Sequence, residues 1–488
     1  MPAPGGAIRP SDAPGGVRHA ASSLRGRLLI AGVALLVLTG SCLQGYANGT
    51  AEAPLVGMFF LASGCGVVAA AFRGRGPEVR AFMLAYGLGV LAGGLAQCYA
   101  LVVFGEPQSF SDSVYFLQQV SPRPPFVALL EMPADVALAI AAWQGLYAAG
   151  WWLGLSFGTY TAVMFNALVM GISGSLTVAT ARALFGHDPW RLRRVGTLFA
   201  FCGLSLLFGA LLLRDCFVVF FTTLWFWGVV RWLVRPCART LVAAAILTAV
   251  SVCAMLFLRD EAVVLFGLFG GLAIACWYAA RRLNAARLSV IALALAAVLA
   301  ASPYIAGYAQ AFLNAQTSGE DKYTSLSEQE DTGSSLGMRL IVHQSLPVRL
   351  VFGTGLLLVN PIPLSANFRA GALEYYWIRG YHGIYQVLVL PLGLAGLLAA
   401  GRLLLQERRK AFPWMFVALF LLLGVLAVVS SSGELRHLGQ FMPAFMILAA
   451  LPDTRQVRDR LRVRWIALPW YAAVMLAHAA WAVMKGVI

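Results

Sequence analysis

Apolar stretches of about 20 residues recur from residue 27 to the end of this chain, and each is long enough to cross about 30 Å of hydrocarbon as an α-helix. Backbone amides inside lipid have no water to bind, so such stretches are confined to helices that satisfy their own hydrogen bonds. Composition agrees: of 488 residues, 60% are hydrophobic and 12% charged, against about 25% charged in soluble domains. A soluble globular enzyme is thereby excluded, and the expected fold class is all-α, a polytopic transmembrane helix bundle. The net charge of +15, from 36 Lys+Arg against 21 Asp+Glu, does not point to nucleic acid. The basic residues lie in short clusters between apolar spans, as the positive-inside rule requires, rather than on one surface. All eight cysteines fall within or at the ends of apolar spans without a CxxC or a His at ligand spacing, so they read as small core- or lipid-facing residues, with no metal and no cofactor expected.

Placing the clusters Arg73/Arg75/Arg80, Arg182/Arg191/Arg193/Arg194, Arg231/Arg235/Arg239, Arg281/Arg282/Arg287, Arg402/Arg408/Arg409/Lys410 and Arg455/Arg458/Arg460/Arg462/Arg464 on one side gives about 13 crossings. Among them are 195–213, 288–307, 437–452 and 466–484. The expected organisation is a flexible basic cytoplasmic tail over 1–26, a membrane bundle over 27–307 with an outer loop at 105–157, a long periplasmic loop at 308–379, and C-terminal membrane helices over 380–488. Residues 135–157 are apolar enough to span, but a crossing there would put the Arg182 to Arg194 cluster outside. They are therefore expected along the outer interface or as a re-entrant piece, with Trp143, Tyr147, Trp151 and Trp152 in the headgroup zone. A local repeat, LLLRDCFVVF at 211–220 and LFLRDEAVVL at 256–265, places an Arg-Asp turn at the outer end of two helical hairpins.

Ionisable groups near the membrane are costly and become functional candidates. On the outer side these include Asp112, Asp135, Arg214, Asp215, Arg259, Glu374, Arg436 and His437. Asp112, in SFSDSVYFLQQ, is either a general base for a hydroxyl or the opening residue of a helix. Asp215 either faces substrate or satisfies the adjacent Arg214. Arg436 with His437, in ELRHLGQFMPAF, fits a diphosphate through the planar guanidinium fork, or else snorkels to the interface. Arg339 and His343 stand at i, i+4, where a helix would turn both toward one phosphate or both toward solvent. No HExxH, GxSxG, P-loop or EF-hand pattern occurs, which argues against nucleotide-driven chemistry.

The loop with Asp112 and Tyr115, the run WQGLYAAGWWLG ahead of Asn166, the basic turn RLRRV, LLLRD at Asp215 and the late ELRHLGQFMPAF together resemble the GT-C-type membrane glycosyltransferases and Wzy-like polysaccharide polymerases of bacteria. The resemblance implies a multi-pass protein of the bacterial inner membrane, its N-terminus cytoplasmic, acting on polyprenyl-phosphate- or polyprenyl-diphosphate-linked saccharides in cell-surface polysaccharide synthesis. It implies Asp112 and Asp215 as the acidic groups and Arg436 as the lipid-phosphate ligand, with other polysaccharide-assembly membrane proteins as candidate partners. The loop after the first span carries only Glu52, unlike the paired acidic residues frequent in GT-C enzymes. A transporter or flippase of lipid-linked saccharides is the alternative expectation.

Overall fold

The computed structural model describes residues 15–74, 76–120, 131–152, 154, 158–259, 261–279, 353–355, 367–368, 371–406, 408–431 and 435–484. They form α1 (Gly15–Asn48), α2 (Ala53–Ala71), α3 (Gly76–Phe104), α4 (Ser111–Val120), α5 (Ala134–Trp152), α6 (Thr159–Phe185), α7 (Pro189–Ala200), α8 (Gly203–Ala210), α9 (Asp215–Val234), α10 (Ala238–Leu256), α11 (Glu261–Ala279), α12 (Glu374–Gln406) and α13 (Arg408–Ser431). A 310 helix at Leu435–Phe441, α14 (Met442–Ala450) and α15 (Val457–Met484) complete them. No strand occurs among the described residues.

Eight of these helices are long and apolar enough to cross a membrane, or nine if the bent pair α7 and α8 counts as one span. The lipid bilayer is the surrounding that such helices fit. Several expected crossings take other forms. Residues 437–452 become a 310 turn followed by the nine-residue α14, whose length of about 14 Å is half a bilayer. The expected span 195–213 is broken at Phe201 and Cys202, with a bend of 52° between α7 and α8. The expected span 288–307 lies outside the described residues. Helix α1 starts at Gly15, within the stretch expected as a flexible tail. Past Pro14, the run GGVRHAASSLRGR holds no proline and several good helix formers.

At the centre of the bundle stands α6, most of it buried. Its polar residues are tolerated there because their hydroxyls bind the preceding turn: Ser173 donates to Val169 O at 2.9 Å, Thr177 to Ser173 O at 2.8 Å and Thr180 to Leu176 O at 2.8 Å. Small residues set the contact between α1 and α3. A Cβ on Gly94 would lie 2.5 Å from Gly40 O, and one on Gly40 would lie 2.6 Å from Val90 O, so the two backbones approach as only glycine permits.

Breaks in the helices are repaired by aromatic donors from neighbours, as a low-dielectric environment demands. The carbonyls of Leu198 and Phe201, at the kink between α7 and α8, accept from Tyr385 and Tyr381 of α12 at 2.7 and 2.9 Å. Pro391 inside α12 cannot donate to Val387 O. The indole of Trp470 on α15 donates to that carbonyl instead, at 3.0 Å.

Helix α5 falls in the stretch expected along the outer interface or as a re-entrant piece. Trp151 and Trp152 are 82% and 89% exposed, as the headgroup zone would have them, but Trp143 is fully buried and belongs to the core. The reason is a polar partner: its indole N–H donates to Asn166 Oδ1 of α6 at 2.9 Å.

Candidate functional site

Four polar residues singled out from the sequence come to the same end of the bundle: Asp112, Asp215, Arg436 and His437. Asp112 lies in the first turn of α4, where the helix dipole favours a carboxylate. Its Oδ2 sits 2.5 Å from Arg436 Nη1, so the pair joins α4 to the 310 helix. The approach to α4 is fixed by a residue that the sequence placed only among the ionisable groups of the outer side. Glu374, at the start of α12 and 2% exposed, accepts the backbone N–H groups of Ser109 and Phe110 at 2.9 Å each and the Ser109 hydroxyl. Beside it the rings of Phe110 and Tyr375 stack at 4.3 Å.

Asp215 opens α9 and is 5% exposed. The positive end of that helix and the Arg259 guanidinium, 3.8 Å away in the turn after α10, offset the cost of burying the charge. The two Arg-Asp turns of the sequence repeat therefore meet each other: the arginine of the second pairs with the aspartate of the first. Arg214 turns elsewhere and donates to Asp135 at the start of α5, to the main-chain carbonyl and to Oδ2 at 2.8 Å. Leu138 N donates to Phe257 O at 3.0 Å, tying α5 to the turn that carries Arg259.

His437 lies within reach of Arg259, Arg436 and Arg214. Burial first, and then the positive charges of Arg259, Arg436 and Arg214, hold its imidazole well below the ordinary histidine range. At neutral pH it is an uncharged imidazole, able to accept or donate one hydrogen bond among arginines.

The positioning of Asp215 rests on Asn166. This buried amide donates to Leu211 O at 3.0 Å and Leu213 O at 3.2 Å while accepting from Trp143. It thus fixes the extended segment 211–213 that delivers Arg214 and Asp215, and sets α5 against the same segment. Arg339 and His343 lie outside the described residues. Asp135, Arg214, Arg259 and Glu374 had appeared only among the ionisable groups of the outer side. The LLLRD and LFLRD repeat was the available signal for Arg259, whereas Glu374 carries none, since its partners, two backbone N–H groups and the Ser109 hydroxyl, lie more than 260 positions away.

Chemically, the site joins three guanidiniums and a neutral imidazole to three aspartates contributed by separate elements. Such a site can receive an anion on the arginines and a proton on a carboxylate. Among the described residues no three His, Cys, Asp or Glu side chains gather as metal ligands would. No family model, curated protein or solved structure matches this chain.

Proposed function

We propose that this chain transfers or polymerises saccharides carried on a polyprenyl phosphate or diphosphate, at the outer face of a bacterial inner membrane. The observation that carries the reading is the convergence of Arg214, Arg259, Arg436 and His437 with Asp112 and Asp215 at one end of an apolar bundle. A lipid-linked diphosphate has an apolar tail suited to the membrane and a charged head suited to this end. Arginine binds such a head bidentately.

In the reaction, an acceptor hydroxyl attacks the anomeric carbon, the bond from that carbon to the phosphate oxygen breaks, and the proton passes to Asp112. The diphosphate leaves as an anion whose charge the arginines stabilise. The Asp112–Arg436 pair gives this a switch-like start: phosphate on Arg436 takes the place of Asp112 and frees its carboxylate to act as base. Asp215 keeps Arg259 oriented toward the same anion.

The test is glycan production in a strain whose chromosomal copy is deleted and replaced by variants. Asp112→Asn and Arg436→Ala should each lower long-chain glycan by about 100-fold or more at normal protein levels, with lipid-linked precursors accumulating on the outer leaflet. Unchanged glycan from Asp112→Asn, Asp215→Asn and Arg436→Ala alike would overturn the proposal.

One observation favours a second reading, a transporter or flippase of lipid-linked saccharides. Transporters commonly build their sites from broken helices, and α7 with α8 forms such a break. Precursors trapped on the inner leaflet of the deletion strain would select that reading.

A further inference from the structure

At the end of the bundle opposite to Asp112, α12 and α15 enclose a groove of about 210 Å³. Its lining is mostly apolar, with Leu398 on one helix and Ile466 on the other, and includes Arg402, Arg462 and Asp459. Arg402 is exposed and has no hydrogen-bond or ion-pair partner among the described residues. Arg462 is half-buried and shares Asp459 at 3.2 Å, but that carboxylate also accepts from Asp453 N at 3.0 Å. The lining is thus left with a net positive charge. Trp465 lines the same groove and is 75% exposed, the setting of a tryptophan at the headgroup level.

From this arrangement we propose that the groove binds an anionic phospholipid, one acyl chain lying between α12 and α15 and the phosphate between Arg402 and Arg462. The chemistry is that of basic pockets between membrane helices, where two guanidiniums beside an apolar groove select a headgroup of net negative charge over a zwitterionic one. The proposal requires only that the bundle lie in a membrane and is independent of the glycan reaction.

The experiment is native mass spectrometry of the full-length chain in detergent, offered equal amounts of phosphatidylglycerol and phosphatidylcholine. Wild-type protein should keep phosphatidylglycerol in preference by on the order of tenfold. Arg402→Gln, which breaks no hydrogen bond or ion pair among the described residues, should cut that preference several-fold, and Arg402→Gln with Arg462→Gln should abolish it. Arg458→Gln with Arg464→Gln removes equal charge from exposed positions of α15 outside the groove and should leave the preference intact. Equal retention of both lipids by wild type, no effect of Arg402→Gln, or an equal loss in the Arg458/Arg464 variant would overturn the proposal. Retention of polyprenyl phosphate with indifference to phosphatidylglycerol would overturn it as well and give the groove to the lipid carrier.

Discussion

Asp112 and Arg436 lie 324 positions apart in the chain and 2.5 Å apart in space, so each residue's state depends on the other. Removing only Arg436 strands a carboxylate, whereas removing both groups strands none. The Asp112→Asn, Arg436→Ala double variant should therefore be more stable than the two single losses add up to, by about 0.5–3 kcal/mol of coupling in a double-mutant cycle read from thermal unfolding in detergent. Additive losses would show that the pair is weak. His437 gives a pH prediction of definite sign. The folded protein holds it neutral below the ordinary value near 6.5, so in that window the unfolded chain binds a proton that the folded chain does not. Stability from this source is constant above about pH 6.5 and falls as the pH drops below it. The thermal midpoint should decline between about pH 6.5 and 5, and less steeply in His437→Gln; parallel curves would refute the assignment.

Among the elements, the strongest lever on the site is the contact between α6 and the segment 211–213. Asn166→Leu orphans the Trp143 indole N–H and the carbonyl of Leu213, and leaves Leu211 O with only the Leu213 N–H at 2.9 Å. At about 1–3 kcal/mol per orphaned group in water, and less in a membrane bundle, the expected loss is about 2–4 kcal/mol in chemical or thermal unfolding, with Asp215 displaced. A second lever is the seam of α12 with α14. A Cβ on Gly396 would fall 1.9 Å from Leu448 O, so Gly396→Ala must push the two helices apart at a cost of about 1–3 kcal/mol. Because α14 directly follows the 310 helix of Arg436 and His437, glycan yield should drop in that variant even where the protein accumulates. Full yield at normal accumulation would mean that the seam does not position the arginine.

At the scale of the whole molecule, the bundle carries two differently charged ends. One holds the carboxylate and arginine network, and the other the Arg182–Glu78 pair at 2.5 Å, the Arg194 and Arg455 guanidiniums against Trp190 at 5.1 and 4.7 Å, and the arginine-rich start of α15. Single cysteines placed at Asp112 and at Arg458 in a cysteine-free background should react with an impermeant maleimide from opposite sides of sealed vesicles. Reaction of both from the same side would refute the two-ended arrangement.

The membrane class and the helical secondary structure were readable from the chain because they depend on local sums: about 20 apolar residues in a row require a helix wherever they lie. The polarity of Asp112, Asp215, Arg436 and His437 was readable for the same reason, since each stands out against apolar neighbours. What only the tertiary structure decided is pairing. Arg214 could as well have paired with the adjacent Asp215 as with Asp135, Trp143 could have been exposed as Trp151 and Trp152 are, and nothing in the sequence named a partner for Glu374. Those outcomes follow from which helix ends are brought together, and that is set by close backbone contacts such as Gly40 with Gly94 and Gly396 with Leu448. Charge and hydropathy belong to the residue, whereas the distance between two charges belongs to the packing.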